Sequence, residues 1–162
     1  SCKPVFFSYW FMNQVRGRIM GKGENYLATC NREREYFILA VYPKNFSHVY
    51  YLNRESEITI EKLPDIYEDG YSLNLRITIE DMPGNLYEMR SWSMTEEEGS
   101  ALYEWRQMGE PENLNADDVK YLKGLCFPRM KIERGEIKEA RLSFGITLRA
   151  NQISLIRIMA EE

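Results

Sequence analysis

The sequence predicts a mainly β protein: an antiparallel β-sandwich with a short helical insertion and an N-terminal helix. Apolar and polar residues alternate along residues 71–79 and again along 140–148, which is typical of strands with one buried and one solvent-exposed face. The other strand candidates are short and joined by turns, without strand-helix-strand alternation. One stretch, residues 99–111, has helical spacing instead.

Composition indicates an ordinary soluble domain. The chain has 162 residues, of which 44% are hydrophobic and 28% charged, enough for one domain with a substantial core. A net charge of -4 provides no basic surface for nucleic acid or an anionic membrane, so we expect neither as a partner. No apolar run is long enough to span a bilayer. Cys2, Cys30 and Cys126 are widely spaced, which predicts free thiols and mildly favours the cytoplasm.

The N-terminal segment is predicted to be a helix over residues 5–20, with Pro4 suited to its first turn and Gly17 and Gly21 as breakers. Apolar residues cover most of its surface, as expected of a helix that is buried on several sides. We therefore expect residues 1–22 to pack against an upstream domain of the same polypeptide. Residues 23–162 are predicted to form the sandwich, with a helical insertion at about 96–127.

The remaining elements follow in order along the chain. Strands are predicted at 25–30, 36–42, 58–60, 71–79, 86–94, 130–133, 140–148 and 152–159. Turns or polar connections are predicted at 31–35, 63–70, 83–84 and 134–136.

The helical insertion has two parts. Leu102, Trp105 and Met108 recur every third residue and line one stripe of a first helix that ends near Gly109 and Pro111. We expect four residues to anchor this helix to the domain: Tyr103, Trp105, Met108 and Gly109.

A second helix follows. Asn115 is its predicted N-cap, Asp117 and Asp118 place negative charge in its first turn, and Leu122 faces inward.

Motifs of catalysis are missing from the sequence. It contains no nucleotide-binding glycine pattern, phosphate loop, zinc-protease motif or nucleophile elbow. His48 is the only histidine, which leaves little material for a metal site or a Ser-His-Asp triad, so no metal or cofactor is predicted. Glu96, Glu97 and Glu98 are interpreted as favourable charges before a helix start.

Aromatic side chains are the remaining candidates for a binding site. An aromatic ring can stack on a sugar ring, although packing in a core is the simpler interpretation. The carbohydrate-binding candidates are Tyr51 and Trp92.

The pattern resembles a known family. Residues 94–129, and above all the segment Gly-Ser-Ala-Leu-Tyr-Glu-Trp-Arg-Gln-Met-Gly-Glu-Pro at 99–111, resemble the C-terminal region of glycoside hydrolase family 39, the β-xylosidase family. Residues 3–14 resemble the last helix of that family's (β/α)8 catalytic barrel, and residues 144–158 resemble the final hairpin of its accessory β-sandwich.

The resemblance implies a non-catalytic piece. Enzymes of this family are retaining hydrolases with two catalytic glutamates, one of them within an Asn-Glu dipeptide, and this sequence contains no Asn-Glu dipeptide. A (β/α)8 barrel needs about 250 residues. The resemblance therefore implies that the catalytic domain lies upstream of Ser1 and that this chain alone is not an enzyme.

Three functions follow as hypotheses. The preferred one is an accessory β-sandwich that braces the barrel of a β-xylosidase-like hydrolase and contacts a neighbouring subunit of a homo-oligomer or an active-site rim. In some bacterial proteins a family 39-like region is attached to an AraC-type transcriptional regulator, which would use it for sugar sensing or assembly. The third is a free-standing carbohydrate-binding module, and the sequence leaves all three open.

Overall fold

The computed structural model of the chain describes residues 4–43 and 72–161, with side chains from residue 7 onward in the first helix. The predictions of a strand at 58–60 and a turn at 63–70 lie outside the described residues, as do Cys2, His48 and Tyr51.

Eight antiparallel strands and three helices are described. The strands are β1 Arg18–Lys22, β2 Tyr26–Cys30, β3 Glu35–Tyr42, β4 Leu73–Ile79, β5 Leu86–Met94, β6 Arg129–Glu136, β7 Leu142–Leu148 and β8 Gln152–Glu161. The helices are α1 Pro4–Gln14, α2 Ala101–Gln107 and α3 Ala116–Leu125. One sheet has the order β1-β2-β3-β8-β5-β6, and β4 and β7 form a second sheet. The predicted fold class is confirmed.

The main core lies between these two sheets. The alternating strands β4 and β7 place one set of side chains inward, among them Ile79 and the fully buried Leu148. Opposite them, the large sheet contributes Ile38, Ile156 and Ile158, each at most 5% exposed. Burial alternates residue by residue along β4 and β7, which explains why 71–79 and 140–148 were the clearest strand signals.

A smaller core lies on the other side of the large sheet, under α1. Phe7 and the fully buried Phe11 pack there against Met94 and Leu155. The predicted helix at 5–20 was too long, since α1 ends at Gln14 and residues 18–22 form β1. Gly17 separates the two elements at φ +104°, and a Cβ there would lie 2.2 Å from the carbonyl oxygen of Cys30.

Strand β6 also differs from its prediction. The sequence indicated a strand at 130–133 followed by a turn at 134–136, whereas β6 runs unbroken to Glu136. It pairs with β5 from Leu86↔Glu136 to Ser93↔Arg129, so the neighbouring strand supplies the partner that local sequence did not reveal. The ring of Tyr87 lies close over Gly135 and occupies the space of a Cβ.

Both insertion helices begin at a capping residue, and Asn115 of α3 is the one that the sequence predicted. In α2, the hydroxyl of Ser100 accepts a hydrogen bond from the backbone N–H of Tyr103. In α3, Asn115 and Asp118 form a reciprocal capping box. Gly109 follows α2 at φ +92°, a conformation that favours glycine.

The three consecutive glutamates contact strand ends instead of a helix terminus. Glu98 pairs with Arg129, Glu97 lies 3.6 Å from Arg149, and Glu96 accepts a hydrogen bond from Asn151. The N-cap of α2 is Ser100, two residues beyond the last of them. These contacts connect the insertion to the ends of β6 and β7.

Trp105 is half-buried, and its indole N–H donates to the carbonyl oxygen of Pro111 at 3.1 Å. This bond closes the connection that follows α2. Tyr103 and Met108 are also half-buried, and α2 contains no fully buried side chain. The anchoring role of these residues stays a prediction.

We expect Phe11→Ala to lower the free energy of unfolding by about 3–5 kcal/mol, because it leaves a cavity at the centre of the α1 contact. The matched control, Tyr9→Ala, removes a side chain that is 61% exposed on the same helix and should change stability by at most about 0.5 kcal/mol. Urea unfolding of the isolated chain measures both, and similar losses for the two variants would contradict this packing.

Trp105→Phe should lower stability by about 1 kcal/mol through loss of the hydrogen bond to Pro111. Trp105→Ala should cost about 1–3 kcal/mol because it also removes the ring. Tyr121→Ala on α3 serves as the exposed aromatic control. An unchanged melting temperature for Trp105→Ala would show that Trp105 is not an anchor.

Candidate functional site

The face of the large sheet that carries α1 holds the most unusual side chains of the described chain. We call it the outer face, and strand register places its residues in rows. Trp92 lies opposite Leu155, and Arg90 lies opposite Arg157. One step further along the strands, Glu88 lies opposite Met159. A charged area thus directly adjoins the apolar row beneath α1.

Glu88 is the most buried charged residue of this face, at 4% exposure. Its Oε1 accepts a hydrogen bond from Nε of Arg90 at 2.6 Å, and its Oε2 accepts two from Arg134, at 2.7 and 3.1 Å. Hydrogen bonds from Arg90 first and Arg134 second hold the pKa of Glu88 below its ordinary value. The carboxylate therefore stays ionised and serves to fix two guanidinium groups.

A second ion pair joins β3 to β8. Nη2 of Arg157 donates to Oε1 of Glu35 at 2.7 Å. The other carboxylate oxygen of Glu35 accepts from Nδ2 of Asn31 at 3.1 Å, and Oδ1 of Asn31 accepts from the backbone N–H of Glu35. The hairpin between β2 and β3 thereby holds Glu35 in place.

Sequence reasoning missed Glu35, Glu88, Arg90, Arg134 and Arg157. Glu88 and Arg134 are 46 positions apart, and Glu35 and Arg157 are 122 apart. Arg134 itself was interpreted as part of a turn at 134–136. The available signal was a charged residue at a strand position where the alternation predicts burial. That signal can be interpreted only once the partner strand is known.

Of the two carbohydrate-binding candidates, Trp92 lies on the outer face and Tyr51 lies outside the described residues. The ring of Trp92 is half-buried and meets Trp10 of α1 edge to face, with centroids 5.9 Å apart. The four predicted anchors lie apart from it, on α2 and at its end. Trp92 therefore contributes to packing, and its role in binding sugar stays a prediction.

Exposed apolar side chains also lie on α1 and β6. Tyr9 and Met12 are 61% and 50% exposed on the flank of α1 that faces away from Phe11. On β6, Met130 lies opposite Trp92 and is 51% exposed. Groups of exposed apolar side chains are typical of a surface that contacts another molecule.

Reactive groups are few in the part of the chain that the structure describes. It contains no group of three or more His, Cys, Asp or Glu residues placed to hold a metal ion. Neither Cys30 nor Cys126 forms a disulfide within the described residues, and burial raises the pKa of Cys30. None of the described helices is both long and apolar enough to cross a bilayer.

The lowered pKa of Glu88 predicts a pH dependence of stability. A carboxyl group with a lower pKa in the folded state stabilises the fold above its ordinary pKa of 4.5 and loses that contribution as the pH falls further. The melting temperature should therefore drop as the pH falls from about 5 to about 3. Glu88→Gln should flatten that drop, because the variant has no carboxyl group to protonate at this position. Glu80→Gln, in an exposed ion pair with Arg141, is the control. Equal pH profiles for both variants would contradict the role of Glu88.

No protein-family model and no curated protein matches the chain. Several solved structures do match. The chain is similar to a GH39 enzyme from Xanthomonas axonopodis pv. citri (TM-score 0.73, 16% identity), covering 98% of this chain and 30% of that one. It is also similar to a monomeric β-xylosidase from Caulobacter crescentus CB15 (0.71, 15%), covering 99% and 31%. A GH39 β-xylosidase from Caulobacter crescentus matches at 0.60 and 18%, covering 98% and 28%.

These matches concern the fold. The whole chain aligns with each of these enzymes while spanning about 30% of the length of the first two, and identities of 15–18% establish shared architecture. The resemblance to glycoside hydrolase family 39 seen in the sequence is thus confirmed for the fold.

Proposed function

We propose that this chain is the non-catalytic, C-terminal β-sandwich part of a family 39-like glycoside hydrolase and that it braces the catalytic domain. The observation that carries the proposal is the coverage of the structural matches. Nearly all of this chain aligns with under a third of each enzyme, so the remainder of such an enzyme has no counterpart here. The whole protein would hydrolyse β-xylosides or related glycosides.

The two sides of α1 support a bracing role. Phe7 and Phe11 attach the helix to the sandwich, while Tyr9 and Met12 present apolar surface on the other flank. A helix with apolar side chains on both flanks is favoured where two bodies meet, because each body then covers one flank. We propose that the flank with Tyr9 and Met12 packs against the catalytic domain.

The state of Glu88 supports a structural role for the charged area. Both carboxylate oxygens accept hydrogen bonds from arginines, and the lowered pKa of this buried acid makes it a poor donor of a proton to a glycosidic oxygen. We propose that the cluster stiffens the outer face.

The isolated chain should not hydrolyse a chromogenic β-xyloside above the rate of the buffer blank. A Glu88→Gln variant, prepared in parallel, controls for traces of a host hydrolase, since contamination gives equal rates in both samples. Hydrolysis that the wild-type chain catalyses and Glu88→Gln does not would overturn the non-catalytic assignment.

The bracing contact can be tested with the double variant Tyr9→Ser/Met12→Ser. In the isolated chain, both side chains are exposed and the change should cost at most about 0.5 kcal/mol. In the native polypeptide it should cost about 1.5–3 kcal/mol for each side chain that is buried. Tyr121→Ser is a control with similar exposure on α3. Equal costs in the two contexts would contradict a contact through α1.

A further inference from the structure

Strand β6 forms one outer edge of the large sheet. Within the described ranges, 4–43 and 72–161, no strand pairs with its other side. All of its residues are exposed except Gly135, which is half-buried. A free strand edge presents backbone N–H and C=O groups with which another strand can pair. The edge of β6 is therefore open to a second chain.

The opposite edge of the sheet, β1, is less suited to such pairing. It has five residues, and a bulge interrupts its register between Ile19 and Gly21. A bulge disrupts the ladder and protects an edge strand from pairing. β6 pairs with β5 without a register shift from Arg129 to Glu136. Its backbone is thus regular enough to form a second ladder on its free side.

The two faces of β6 differ in chemistry. Register with β5 places Met130 and Ile132 on the outer face of the sheet, where both side chains are exposed. Lys131 and Glu133 lie on the opposite face and form an exposed ion pair with 2.9 Å between Nζ and Oε1. The edge thus has apolar side chains on one face and one charge of each sign on the other.

Strand pleating restricts how two copies of β6 can pair. Residues that lie opposite each other in an antiparallel ladder share a face, and the faces alternate along the strand. In a two-fold symmetric pair, one residue must therefore lie opposite its own copy. With Ile132 at that position, Lys131 of each copy lies opposite Glu133 of the other. With Lys131 or Glu133 at that position, like charges would lie opposite each other, which is destabilising.

We propose that β6 pairs with β6 of a second copy of this chain, antiparallel and centred on Ile132, to form a symmetric dimer with one continuous sheet. On one face, the charges of the two Lys131–Glu133 pairs alternate in sign across the contact. On the other face, Met130 and Ile132 of both copies meet, since directly opposite and diagonal side chains interact in a ladder. Charged residues on an edge deter unselective pairing, and here they select one register. The proposal does not depend on the hydrolase context, because every residue of the contact belongs to this chain.

Sedimentation equilibrium of the 162-residue chain tests the dimer. An edge contact of eight residues belongs with small, transient interfaces, so chain concentrations from ~10 μM to ~1 mM are needed. The measured mass should rise reversibly above that of the 19.2 kDa monomer as concentration increases. A constant monomer mass over this range would overturn the proposal.

The double variant Tyr9→Ser/Met12→Ser separates this contact from the exposed flank of α1. Both side chains lie outside β6, so the dimer dissociation constant should stay at the wild-type value. Loss of the dimer in this variant would assign self-association to α1 and overturn the proposal.

Charge exchange tests the register. Lys131→Glu and Glu133→Lys should each weaken dimerisation about tenfold or more, because like charges then lie opposite each other twice in the dimer. The double variant Lys131→Glu/Glu133→Lys should dimerise again, as should an equimolar mixture of the two single variants, since both restore opposite charges. The melting temperatures should stay near that of the wild type, because an exposed ion pair contributes little to stability.

Lys120→Glu on α3 is the matched control, with the same change of charge at an exposed position away from β6. It should dimerise as the wild type does. An equal loss for Lys120→Glu, or a double charge-exchange variant that stays monomeric, would refute the proposed pairing.

Discussion

The described structure depends on the pairing of its last strand between two earlier ones. β8 pairs with β3 from Glu35↔Met159 to Tyr42↔Gln152 and, on its other edge, with β5 from Leu86↔Glu161 to Met94↔Ile153. Both of its faces are buried, with Ile158 in the main core and Leu155 under α1. Without β8, the hairpins on either side would share no sheet, and neither core would close.

The register of that strand also decides what the outer face can do. Because successive side chains point to opposite faces, a shift of one residue would place Arg157 in the main core and Ile158 beside Glu35. The correct register aligns Arg157 with Arg90 and brings it within reach of Glu35. The ion pairs are thus consequences of strand pairing, and the hydrophobic pattern enforces them.

Helix α1 links the fold to the proposed role. Its sheet side is held by Phe11, and its other flank leaves Tyr9 and Met12 exposed, so one surface stabilises the sandwich while the other is available to a second body. A pocket where the C-terminal end of α1 meets β3, β5 and β8 occupies a different part of the outer face. The proposed bracing contact through Tyr9 and Met12 therefore uses side chains that do not line this pocket.

Some features needed only neighbouring residues to be predicted. The strands β4 and β7 follow from alternation, and the start of α3 follows from Asn115 and Asp118, because these signals act over two to four positions. The full length of β6 and the end of α1 at Gln14 were missed, since each depends on contacts with a strand elsewhere in the chain.

The sequence by itself determined the fold class, the central residues of most of the described strands, the N-cap of α3 and the resemblance to glycoside hydrolase family 39. Only the tertiary structure decided that Glu88 clamps Arg90 and Arg134, that Glu35 meets Arg157, and that Trp92 shares a pocket with Arg16. The reason is physical: periodicity and capping are short-range properties, whereas these side chains meet only after non-local strands have paired in one register.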